Sequence, residues 1–154
     1  MAKPDPYMSC RLLIVDDNQP TRLLLREMLK SEGLTGVREA SGGAEALRLL
    51  ETYPFDVVLA DMEMPDMSGL DLLRKVRRDG VALNRAIPFV FVTAHANPAL
   101  VGKARELGVT GYVLKPITIG QVRAKLDLAL RQGRALHDSK AKPKPGPEDE
   151  AWDL

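Results

Sequence analysis

Cysteine and histidine are almost missing from this chain: Cys10, His95 and His137 are the whole supply in 154 residues. A single thiol excludes a disulfide framework and any thiolate zinc cluster, and two histidines leave little for an imidazole-based metal site. Excess charge is also lacking. Twenty-two basic side chains face 21 acidic ones, for a net charge of +1. That balance excludes a generically basic nucleic-acid binder, whose affinity rests on many phosphate contacts, and gives no polybasic membrane patch. No apolar run reaches membrane-spanning length, and the opening MAKPDPYMSC has no apolar signal-peptide core. These absences lead to the expectation of a soluble protein in a reducing, cytoplasmic compartment, with no membrane and no direct nucleic-acid partner. What is present is a 45% hydrophobic content, enough to bury a core. The length suits one domain with some chain to spare.

The ends differ from the middle. Residues 1–9 carry Pro4 and Pro6 and no periodic pattern, and read as an N-terminal extension. Residues 133–154, GRALHDSKAKPKPGPEDEAWDL, combine a Lys-Pro alternation with a terminal acidic cluster. That composition buries too little surface to offset its ordering entropy, so a flexible tail is expected. Between them, residues 10–132 alternate. Leu12–Val15, Val57–Ala60, Phe89–Val92 and Tyr112–Leu114 are short runs apolar at each position, as parallel strands covered on both faces require. A weaker strand is expected near Gly36–Glu39. Helical patterns separate them. Pro20 suits a first turn, Leu24, Leu25, Met28 and Leu29 form a face, and Gly33 is a stop. Ala46, Leu47 and Leu50 mark a second helix. Leu72, Leu73 and Val76 mark a third, from Ser68 to near Gly80. Leu100, Ala104 and Leu107 mark a fourth, stopped by Gly108, and Ile119, Val122, Leu126, Ala129 and Leu130 mark a fifth. A repeated strand–helix order predicts an α/β, doubly wound parallel sheet. Ligands of such sheets bind beyond the carboxyl ends of the strands.

Polar residues stand at those ends. Asp16 and Asp17 follow the first run, Asp61 the second, Thr93 the third, and Lys115 with Pro116 the last. One crevice thus collects three carboxylates, a hydroxyl and an ammonium. Like charges ~4 Å apart, at an effective dielectric of about 20, repel by about 4 kcal/mol per pair. Such a cluster raises its pKa values or holds a cation. Hard oxygen donors completed by water suit Mg²⁺ beside a phosphate, and no spaced acidic loop of the calcium-binding kind is present. A carboxylate nucleophile, a cation and a lysine form a set for phosphoryl transfer to aspartate.

The strings LLIVDDN, VVLADMEMPDMSGLDLL, FVFVTAH and GYVLKP make the chain similar to response-regulator receiver domains, the single-domain chemotaxis type in particular. Singly, a DD pair or a KP dipeptide is a weak signal; together, each after an apolar run, they are specific. The resemblance covers about residues 10–132. It implies a flavodoxin-like (βα)5 fold with strand order 2-1-3-4-5. It implies that Asp61 is the phosphoacceptor, that Asp16 and Asp17 hold Mg²⁺, and that the backbone carbonyl of Glu63 joins them. It implies that Lys115 contacts the phosphoryl group through a chain whose next bond, to Pro116, is cis. Thr93 and Tyr112 match the two switching positions, and Met64, Pro65 and Gly69 match the turn after the acceptor strand. Glu63 and His95 occupy positions that tune dephosphorylation in the family, and a small Ala94 leaves the phosphoryl group accessible. The implied partners are a sensor histidine kinase or phosphotransfer protein and a downstream protein target. The implied output surface is the fourth helix, fifth strand and fifth helix, the same face through which a homodimer would form. Activity would be limited to self-catalysed phosphorylation and dephosphorylation, and the setting would be a bacterial cytosol.

Each residue also has an ordinary role. The aspartates serve elsewhere as caps, Lys115 as a surface charge, Thr93 as a capping hydroxyl and Tyr112 as a core aromatic. Glu63 and His95 stand equally well as exposed bystanders. Cys10 is expected to be inert at the start of the first strand, and His137 to lie in the tail. Trp152, alone among acids, is either a docking motif or part of a solvated spacer. No recognisable output segment follows residue 132, so output is expected through protein contact, or the chain is a phosphate sink or relay carrier. Two other classes remain at this point. A haloacid-dehalogenase-like phosphatase would need Asp-x-Asp early in the chain, whereas Asp61 is followed by Met62 and Glu63. A pseudo-receiver would bind partners without phosphorylation.

Overall fold

Strands that are apolar at each position must be covered twice, and they are. In the computed structural model, which describes residues 7–78, 82–95 and 97–140, ten main elements alternate. They are β1 (Arg11–Val15), α1 (Gln19–Ser31), β2 (Gly36–Ala40), α2 (Gly43–Thr52) and β3 (Val57–Asp61), then α3 (Gly69–Arg78), β4 (Phe89–Thr93), α4 (Pro98–Glu106), β5 (Gly111–Leu114) and α5 (Ile119–Lys140). A short 3-10 turn at Ala82–Asn84, not expected from the sequence, precedes β4. All pairings are parallel, in the order β2-β1-β3-β4-β5. This is the flavodoxin-like doubly wound sheet.

Side chains alternate across the sheet and split the core into two layers. Leu13, Val15, Val58, Ala60, Phe89 and Phe91 pack with α2 and α3 residues such as Ala46, Leu50, Leu72 and Val76. Leu12, Ile14, Val57, Leu59, Val90 and Val92 pack with Leu25 and Leu29 of α1 and Val122 and Leu126 of α5. Each buried Val, Leu, Ile or Phe side chain among them contributes about 1.5–3 kcal/mol. The helix boundaries follow their expected signals. Asn18 accepts a hydrogen bond from the Thr21 amide at 2.9 Å with Pro20 in the first turn. Ser68 Oγ accepts from the Asp71 amide at 3.0 Å, and Asn97 from Ala99 at 2.9 Å with Pro98 beside it. Gly33 (φ 98°) and Gly108 (φ 75°) end α1 and α4 in the left-handed conformation that glycine tolerates.

Three expectations change. Leu24 was expected on the buried face of α1 but is 47% exposed. A helix turns by about 100° per residue, so the stripe through Leu25 and Leu29 leaves Leu24 outside. Leu114 is 46% exposed because β5 is an edge strand with one open side. Residues 133–140 belong to α5 and not to a tail beginning at 133. No proline stands between Pro116 and Pro143, and Gly133 alone costs a helix about 1 kcal/mol. The rest of the expected tail, with Trp152, lies outside the described residues, as do most of the N-terminal extension and the stop expected near Gly80. Among the described residues, no helix is long and apolar enough to cross a membrane.

Candidate functional site

The parallel ladder brings the ends of β1, β3, β4 and β5 to one edge. Asp16 follows β1 directly, Asp61 ends β3, Thr93 ends β4 and Lys115 follows β5. Oxygen atoms of Asp16, Asp17 and Asp61 all lie within 4.8 Å of one another. Asp16 is buried at 1% exposure and Asp61 at 8%, whereas Asp17 is exposed. Lys115 Nζ lies 3.6 Å from Asp16 Oδ2 and 3.8 Å from Asp61 Oδ2. The residues expected at the site are thus assembled, and the Lys115–Pro116 bond is cis as expected.

Each side chain is held differently. Asp16 Oδ1 accepts a hydrogen bond from the Asn18 amide at 2.8 Å, but among the described residues the buried Oδ2 has no hydrogen-bond partner. Asp61 Oδ1 accepts from the Glu63 amide at 3.3 Å. Burial pushes the Asp61 pKa above its ordinary value; the Glu63 amide pulls it back, Asp16 pushes it up, Lys115 pulls it down and Asp17 pushes it up. The loop after β3 leaves no slack. A Cβ on Gly69 would sit 2.3 Å from the Asp61 carbonyl oxygen and 2.8 Å from the Phe91 ring, so only glycine lets α3 start against the acceptor strand. Asp66 in the same loop accepts from the Gly43 and Ala44 amides at 3.2 and 3.0 Å, and caps α2 where its own N-cap, Gly42, has no side chain.

Thr93 Oγ donates to the His95 carbonyl at 3.0 Å and accepts from the His95 amide at 3.2 Å, so the hydroxyl is engaged by its own loop. Ala94, His95 and Glu63 are exposed. Tyr112 stands beside Phe91 in register, with ring centroids 5.8 Å apart. Its buried hydroxyl has no hydrogen-bond partner among the described residues, and burial raises its pKa. Cys10 is buried with a pKa pushed up to about 12 by desolvation. It stays a thiol, in keeping with the inert role expected.

The donor set fits a hard divalent cation. Three carboxylates converge, and a buried carboxylate oxygen faces the cluster without a hydrogen bond. Two residues near the site escaped the sequence reading. Asp66 gives no signal, because it caps a helix that begins 23 positions earlier. Arg22 does give one: it lies three and seven positions before the buried Leu25 and Leu29, and is a charge on an apolar stripe.

Known proteins resemble this chain in sequence and fold. The family model described as the response regulator receiver domain matches residues 12–127. Chemotaxis protein CheY of Pseudomonas aeruginosa is 38% identical over 117 residues, 76% of this chain and 93% of that one. Chemotaxis protein CheY-3 of Vibrio cholerae is 36% identical over 117 residues, 76% of this chain and 88% of its own. Among solved structures, CheY4 of Vibrio cholerae superposes with a TM-score of 0.72 at 27% identity, covering 79% of this chain and 98% of that one. A CheY-like receiver from Methanospirillum hungatei gives 0.74 at 27% identity, covering 82% and 98%. The haloacid-dehalogenase alternative finds no support in these matches. The chain belongs to the response-regulator receiver family, and with it to the two-component signalling proteins.

Proposed function

We propose that the protein is a response regulator that takes a phosphoryl group onto Asp61 and signals by protein contact. The observation that carries this reading is the convergence of Asp16, Asp17, Asp61 and Lys115 at one sheet edge. Asp16, Asp17 and the Glu63 carbonyl would hold Mg²⁺, together with Asp61. When bound, the ion supplies positive charge to phosphoryl oxygens in transfer. The chain's own groups do the rest. An Asp61 carboxylate oxygen attacks phosphorus, and the bond from phosphorus to the donor's histidine nitrogen breaks. The ionised carboxylate is the attacking form, and the ion together with Lys115 would favour it against the burial that raises the Asp61 pKa in the metal-free chain. Lys115, within 4 Å of both buried acids, offsets charge on the incoming group. The new phosphoryl oxygens then compete with the His95 backbone for the Thr93 hydroxyl.

Output follows from the small energies involved. One or two charge-assisted hydrogen bonds contribute about 1.5–3 kcal/mol each. Moving from 1:99 to 99:1 takes about 5.5 kcal/mol. Phosphorylation therefore biases the fold, and partner binding completes the shift. The proposed contact face is α4, β5 and α5. The exposure of Leu114 (46%) and Ile119 (36%) on that face supports it, and the same apolar atoms suit a second copy of the chain. A sensor kinase or phosphotransfer protein would supply the phosphoryl group in the cytoplasm, and a phosphate-sink role would use the same chemistry.

Intact-protein mass after incubation with acetyl phosphate and Mg²⁺ tests the reading. One added phosphoryl group, absent without metal and absent in Asp61→Asn, is expected. Undiminished uptake by Asp61→Asn overturns the assignment. If no adduct is seen, a beryllofluoride titration separates rapid hydrolysis, which still gives saturable binding, from a pseudo-receiver, which does not bind.

A further inference from the structure

We infer that Arg22 is a positioning residue for the acidic loop, holding the Asp16–Asp17 peptide in the orientation that lets Asp17 share a divalent cation with Asp16 and Asp61. The inference rests on the metal-site reading above and extends it to a residue outside the acidic cluster.

The loop from Asp16 to Asn18 is anchored at three points, and two of them hold the peptides on either side of Asp17: the Asn18 amide behind it and the Asp16 carbonyl before it. The Asp16 amide donates to the Ala40 carbonyl at 3.1 Å, extending the β1–β2 ladder. The Asp16 carboxylate accepts from the Asn18 amide at 2.8 Å. The carbonyl of Asp16, which belongs to the peptide leading into Asp17, accepts from Arg22 Nη1 at 2.6 Å. Asp17 is exposed, and its carboxylate has no hydrogen-bond partner among the described residues. Its position is therefore set by its backbone, and Arg22 holds the peptide plane just before it.

Arg22 is itself fixed. Its Nε donates to Glu39 Oε1 at 3.1 Å, while Arg26 Nη1 donates to the other oxygen, Glu39 Oε2, at 2.6 Å. The Arg22 side chain is only 15% exposed. A planar guanidinium can satisfy a carboxylate and a carbonyl at the same time, and an ammonium on a flexible stem does so poorly. Glu39 lies on β2, beside β1 in the sheet, with Ile14 as its register partner. The acidic loop is thus braced from α1 and from the neighbouring strand. Groups of this kind, one step beyond the ligands, tune metal affinity by orienting the ligands.

The test is calorimetric titration of Mg²⁺ into the full chain without any phosphodonor, together with the metal-free thermal midpoint. Arg22→Ala is expected to weaken Mg²⁺ binding about ten-fold. Arg22→Lys is expected to recover part of that loss, and Glu39→Gln to give a smaller one, because Arg22 then keeps its carbonyl but loses its charged anchor. A purely structural role would lower the midpoint and leave the affinity of the folded protein unchanged, and that result overturns the inference. If Arg22→Ala does not fold, Arg22→Lys and Glu39→Gln decide: affinities equal to the parent in both overturn it. A parent protein that binds no Mg²⁺ overturns the metal-site reading itself, a different outcome from a parent that binds while the variants match it.

Discussion

The two edges of the sheet treat their buried polar groups in opposite ways. At the amino edge, Asn84 accepts from the Phe55 amide and donates to the Leu50 and Tyr53 carbonyls. Arg77 reaches the carbonyls of Leu107, Arg85 and Gly108, although burial lowers its pKa to about 10. Thr110 Oγ accepts from the Phe89 amide and donates to Gln132. At the carboxyl edge three acids crowd together, and Asp16 Oδ2 lacks a hydrogen bond. The other buried side-chain atom without a partner among the described residues, the Tyr112 hydroxyl, lies on β5 beside this machinery. One edge satisfies its polar groups and closes loops. The other leaves acceptors open at a cost in stability, as the proposed cation and phosphoryl site requires.

Substitutions at the two edges should therefore separate stability from chemistry. The largest effect on stability is expected at the amino edge. Asn84→Ala orphans one amide and two carbonyls, and should cost about 3 kcal/mol in urea unfolding. Phosphoryl uptake per folded molecule should stay near the parent's; a loss of uptake without a loss of stability would dissolve the contrast. At the carboxyl edge the sign should reverse. Asp17→Asn removes a like charge near Asp61 and should stabilise the metal-free protein by up to about 1 kcal/mol. Mg²⁺ at one hundred times its Kd should add about 2.7 kcal/mol to the parent and far less to this variant. Thermal unfolding with and without the ion reads both.

The smallest effect concerns the loop joining the acceptor strand to α3. Backbone amides, that of Ala44 foremost, hold the Asp66 pKa below its ordinary 3.8. A carboxylate with a depressed folded pKa stabilises the fold above its unfolded value, and loses that contribution as pH falls through the folded one. The acid limb below about pH 4 should be shallower in Asp66→Asn, which keeps an acceptor oxygen but no charge. A limb identical to the parent's would show that Asp66 does not couple the acceptor loop to α2.

The strands and the five polar residues at their ends were legible because each signal is local: an apolar run, then a charged or hydroxyl side chain. The glycine stops at Gly33 and Gly108, Pro20 in the first turn of α1 and the Ser68 cap were legible for the same reason. What stayed hidden depends on distance along the chain. Asn84 serves Leu50, 34 positions away, and Asp66 serves Ala44, 22 positions away. Leu24 was misplaced because a one-residue shift on a helix looks the same in composition. The end of α5 was misjudged because the polar stretch after residue 132 reads as unfoldable, while its first eight residues carry no helix breaker except Gly133.

The closed loop at Thr93 bears on signal quality. Its hydroxyl makes two hydrogen bonds to the His95 backbone at rest, and the proposed active arrangement gives these up. At about 1 kcal/mol each, they hold the idle chain roughly thirty-fold toward the silent arrangement. Under the proposed function such a loop would act as a noise filter: thermal fluctuation alone would rarely fire it, and a cell holding many idle copies would keep a quiet background against which a few phosphorylated ones are heard.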